Sequence, residues 1–67
     1  MATTTEVRIQ VGELRVDYWQ GNITAANLKL ELQNINWSSV SSDPDISVEL
    51  MQDIVNNTIT LLDNGTL

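Results

Sequence analysis

A chain of 67 residues with no Cys and no His holds a single domain, residues 1–67, and excludes both a disulfide framework and the usual zinc-ligand sets. A core this small supplies only about 3–5 kcal/mol, so association with another chain is the expected source of further stability. The net charge of −6 is unevenly spread: Glu6, Glu13 and Asp17 balance Arg8, Arg15 and Lys29, whereas Glu31, Asp43, Asp45, Glu49, Asp53 and Asp63 follow with no base among them. That field repels nucleic-acid phosphates and anionic membranes and attracts a basic protein.

In chain order, Met1 to Glu6 is short and Thr-rich, unlike a secretory signal or a membrane span, and no apolar run approaches the roughly 18 residues a span needs. A cytoplasmic protein is expected. Residues 6–11 alternate, with Val7, Ile9 and Val11 against Glu6, Arg8 and Gln10, as a half-buried strand does. Residues 14–19 repeat the pattern through Leu14, Val16 and Tyr18. Gly12-Glu13 between them suits a two-residue hairpin turn, which sets Val11 opposite Leu14 and Arg8 opposite Asp17. The competing reading is one long strand with a bulge at Gly12.

Gln20-Gly21-Asn22 is the next turn. Residues 27–33 alternate through Leu28, Leu30 and Leu32, which favours a third strand; the alternative is a short helix capped by Thr24 that carries Leu28, Leu32 and Ile35 and turns Leu30 away. After the polar loop 38–42, Asp43 with Pro44 behind it marks the start of a helix over residues 44–63, stopped by Asn64-Gly65. The expected fold is therefore α+β: a small antiparallel β-meander of two or three strands packed against one long C-terminal helix. Its expected core is Val7, Ile9, Val11, Leu14, Val16, Tyr18, Leu28, Leu30, Leu32, Leu50, Ile54, Leu61 and Leu62.

The long helix is apolar around about half its circumference, more than one small sheet hides. Met51, Val55, Ile59 and Leu62 are accordingly the expected homodimer interface. On the other arc Asp45, Glu49 and Asp53 recur every four residues without calcium-loop spacing, and they form, with Trp19, the expected contact surface for a basic protein. Without Cys or His no nucleophile and base can be paired, so neither an enzyme nor a metal or other cofactor is expected. The four Asn-x-Ser/Thr sequons at Asn22, Asn36, Asn56 and Asn64 reflect an Asn- and Thr-rich composition. As a class, small acidic cysteine-free chains of this kind are similar to phage-encoded inhibitors of host proteins, including anti-CRISPR proteins and DNA mimics. The expected function is a non-enzymatic binding module that occludes a partner's surface. The alternative is an assembly subunit that self-associates through its apolar helix face.

Overall fold

The computed structural model describes residues 2–67. Three helices dominate it: α1 (Thr4–Trp19), α2 (Ala25–Gln33) and α3 (Val48–Asp63), each packed against the other two. A one-turn 3-10 segment, Trp37–Ser39, follows α2. Two short strands, β1 (Ala2–Thr3) and β2 (Val40–Ser41), pair in parallel with Ala2 beside Val40 and Thr3 beside Ser41. No antiparallel meander and no β-hairpin is present among the described residues, so the expected α+β meander is replaced by a helical bundle clipped by one parallel bridge.

The hairpin reading fails for a geometric reason. On a helix, positions i and i+2 lie about 200° apart, so alternation over 7–18 is equally the sum of two opposed helical stripes. Thr4, Val7, Val11, Leu14 and Tyr18 follow 3–4 spacing and form the inner stripe; Thr4, Val7 and Val11 are buried, and Leu14 and Tyr18 pack on the core. Ile9 and Val16 lie on the outer stripe and face water. The expected core placement of Ile9 and Val16 is therefore corrected, as is that of Leu50, which sits on α3 beside the buried Met51 but is 47% exposed. Leu30 is likewise exposed, because the third segment is the Thr24-capped helix and not the strand; Leu28 and Leu32 are the residues it buries.

Local signals at the chain's turns explain why the helices win. Each helix opens on a hydroxyl cap: Thr3 accepts from the Glu6 N–H at 3.2 Å, Thr24 from Asn27 at 3.2 Å and Ser47 from Leu50 at 3.1 Å. Each cap follows an apolar residue and precedes another by four: Ala2 and Val7, Ile23 and Leu28, Ile46 and Met51. That spacing is the hydrophobic staple, and all six side chains belong to the core or pack on it. At the other ends α1 and α3 close on left-handed glycines, Gly21 (φ 80°) and Gly65 (φ 71°). Around them the Asn22 N–H donates to the Asp17 carbonyl and the Thr66 N–H to the Leu61 carbonyl, both at 2.9 Å, completing Schellman stops that no side chain with a Cβ adopts without strain.

The start of α3 is also corrected. It begins at Val48 on Ser47, four residues later than the Asp43-Pro44 reading. Asp43 instead serves α1: its carboxylate accepts from the Thr5 N–H at 2.9 Å, one of the orphan donors of that helix's first turn. The buried Thr4 hydroxyl accepts from the Asp43 N–H at 3.0 Å and donates to the Ile46 carbonyl at 2.7 Å. The 43–46 turn is thus bolted to the first turn of α1, and the β1–β2 bridge closes the same corner.

Candidate functional site

The side chains that sequence patterning nominates divide between the core and three separate parts of the surface. Met51, Val55 and Leu62, expected at a dimer interface, are 0%, 2% and 7% exposed, and Ile59 packs against the same cluster. That face of α3 is covered from within by α1 and α2, so it is not available to a second chain in the folded protomer; of the large apolar side chains on α3, Leu50 is the one left exposed. Thr58, at its centre, satisfies its hydroxyl on the Ile54 carbonyl at 2.9 Å.

Of the acidic trio, Glu49 and Asp53 stand one turn apart on the outer side of α3, with Asn56 and Thr60 continuing the same exposed row. Asp45 is exposed but lies in the 44–46 turn before the helix, so the three do not form one helical ladder. Among the described residues the single ion pair is Lys29 with Asp63, at 3.0 Å, which joins α2 to the last turn of α3. Lys29 thereby neutralises the acid nearest the helix C-terminus, where a cation is favoured, and leaves Asp45, Glu49 and Asp53 with no base paired to them. Like charges at the 49–53 spacing repel by a few tenths of a kcal/mol on an isolated helix, a cost that an incoming cation would remove.

Asp43 has an acidity that the fold alters. Hydrogen bonds from the Thr5 hydroxyl and the Thr5 backbone N–H, with a smaller one from the Thr3 hydroxyl, outweigh partial desolvation and hold its carboxyl below the usual carboxylate range. That cause is structural: the carboxylate is tied to the N-terminus of α1. No group of three or more acidic, His or Cys side chains disposed to hold a metal ion occurs among the described residues.

The surface that patterning did not nominate is the outer stripe of α1. Ile9, Gly12, Val16 and Trp19 follow one another at spacings of three and four on the side opposite the core, with Ile9 54%, Val16 45% and Trp19 57% exposed. Gly12 carries nothing between Ile9 and Val16, and the three line a shallow apolar notch with Glu13 and Asp17 at its edge. Trp19, expected beside the acidic residues, instead ends this stripe, with the Arg15 guanidinium 5.1 Å from its ring centroid. The Arg15 Nε is shielded from water without a hydrogen-bond partner. The signal in the sequence was the second 3–4 series inside the same alternation that suggested a hairpin.

No family model, no curated protein and no solved structure matches this chain. No helix among the described residues is long and apolar enough to cross a membrane.

Proposed function

We propose that this chain is a non-enzymatic, acidic protein-binding module that acts by surface occlusion, in the manner of an inhibitor, and that its partner presents a basic surface to the outer side of α3. The observation that supports this reading most is that Glu49, Asp53 and Asp45 lie exposed with no base paired to them, while Lys29, on α2, is taken up by Asp63. A field of one sign steers a complementary partner and raises its association rate, an effect that salt weakens. The core being closed on itself, such a partner meets a preformed helix face and does not have to order it.

The test is binding to an immobilised lysine-rich peptide by two variants of identical net charge. Glu49→Lys with Asp53→Lys is expected to weaken binding at least tenfold, roughly the loss of 1.4 kcal/mol, while Glu6→Lys with Glu31→Lys changes it far less. Equal losses from both pairs would reduce the effect to overall charge and remove the α3 face from the account.

A further inference from the structure

The outer stripe of α1 has the layout of a coiled-coil seam. Assigning Ile9 and Val16 to a positions makes Gly12 and Trp19 d positions, and Thr5 the d position one heptad earlier. Charges flank this seam in separate files. Arg8 and Arg15 fall at the two g positions along one edge, and Glu6 and Glu13 at e positions along the other. A stripe of this kind on a folded helix that already buries its opposite face is surplus to the protomer. Gly12 in the middle of a 16-residue helix costs about 1 kcal/mol against Ala, and an added Cβ there meets nothing within 4 Å. The protomer itself therefore gives no packing reason for a glycine; close approach of another helix backbone does.

We infer that α1 pairs with α1 of a second copy, in parallel and two-fold related, through Ile9, Gly12, Val16 and Trp19. The charge files select both the occupant and the orientation. In a parallel pair each g residue faces the e residue five positions on in the other chain, so Arg8 of each copy meets Glu13 of the other. Two symmetric attractive contacts result from one juxtaposition. Antiparallel pairing of the same seam brings Arg8 against Arg15 and Glu13 against Glu13 across the contact, four cations and two anions in like-charge opposition. At the end of the parallel seam, Arg15 faces Gln20 of the second copy, a neutral carboxamide whose oxygen can accept from the guanidinium's terminal N–H groups. The dimer would carry two copies of the acidic α3 face. This inference stands on α1 alone and does not depend on what α3 binds.

Two heptads bury little, below the roughly 1,200 Å² of a standard specific interface, so the association is weak and is measured by sedimentation equilibrium up to about 1 mM protein. Wild-type protein is expected to sediment as a monomer–dimer mixture over that range, and Val16→Glu as a monomer. Arg8→Glu and Glu13→Arg are each expected to weaken the dimer about tenfold, since each converts two attractive contacts into two repulsive ones. Combining them is expected to restore it to within about twofold, because the pairs are re-formed with reversed sign. All three positions are exposed, so far-UV circular dichroism serves as the folding control. Net-charge repulsion shares the forecast for Arg8→Glu but reverses it for Glu13→Arg, which would then strengthen association; that strengthening, or failure of the double variant to recover, would overturn the parallel seam. Wild-type protein that is wholly monomeric at about 1 mM would overturn self-association and leave the stripe to a different protein.

Discussion

At the scale of single residues, the environment that each side chain meets can be turned into a measurable change. Gly12→Ala places a methyl group into open space at a helical position, and at low micromolar concentration it is expected to raise the stability of the protomer by about 0.5–1 kcal/mol, read by urea denaturation. Met51 is fully buried where the three helices meet. Truncation to Ala removes about 2–5 kcal/mol, comparable with everything a domain of this length has, so Met51→Ala is expected to lose most of its helical circular dichroism at 25 °C. Met51→Glu, which would split a dimer if this residue lay on the surface, unfolds the protomer instead.

Asp43 links residue chemistry to pH. Its carboxyl is held below the usual range in the folded state by the Thr5 hydroxyl and N–H, so its ionised form stabilises the fold above about pH 4, and that contribution disappears as pH falls through the lowered folded value. Asp43→Asn should therefore melt below the wild type at pH 7. The gap between the two melting temperatures should close as pH drops below about 4. A gap that stayed constant down to pH 2 would assign the effect to packing and not to the charge.

At the scale of elements, what was legible in the sequence and what was not follow different physics. The ends were legible: Gly21 within the expected 20–22 turn and Gly65 after the expected helix stop both adopt the left-handed conformation that only glycine takes freely. The body of α3 was legible too, because its wheel separates Glu49, Asp53 and Asn56 from Met51, Val55 and Leu62. The surface or core role of its apolar arc was not, since a wheel shows which residues share a face but not how much protein covers it. For residues 4–19 and 25–33, side-chain alternation fits strand and helix alike, and only the caps distinguish them. Thr3 three residues before Glu6 is a capping-box spacing, and Thr24 ahead of Ala25-Ala26 is a cap signal as well; Asp43-Pro44 misleads, because its carboxylate caps another helix. Ser47→Ala tests the assignment directly. It is expected to cost about 1 kcal/mol, as loss of an N-cap does, whereas a helix that began at residue 44 would barely register a substitution in its first turn.

At the scale of the whole molecule, the arrangement is a small self-sufficient core with chemistry of two kinds outside it, an uncompensated acidic face on α3 and an apolar seam on α1. Length and missing cross-links still favour association, and most of the surplus apolar surface lies on α1, where Ile9, Val16 and Trp19 face water, while α3 contributes only the exposed Leu50 to it. If the seam forms, the melting temperature should rise with protein concentration, because binding between folded copies draws the equilibrium away from the unfolded chain. Val16→Glu should abolish that dependence while leaving the melting temperature at low concentration close to the wild type.

The packing of the core and the apolar seam both require residues 4–19 to be one helix, with Val7, Val11, Leu14 and Tyr18 on its inner stripe and Ile9, Val16 and Trp19 on its outer stripe. The most direct measurement is the set of ¹³Cα secondary chemical shifts across this segment, together with methyl contacts observed by nuclear Overhauser effect. An unbroken run of helical shifts through Gly12, with Val7 and Val11 methyls close to those of Leu28, Met51 or Val55, is the expected result. Strand-type shifts on both sides of Gly12-Glu13, with Val11 opposite Leu14 and Ile9 opposite Val16, would contradict the three-helix core and remove the seam on α1.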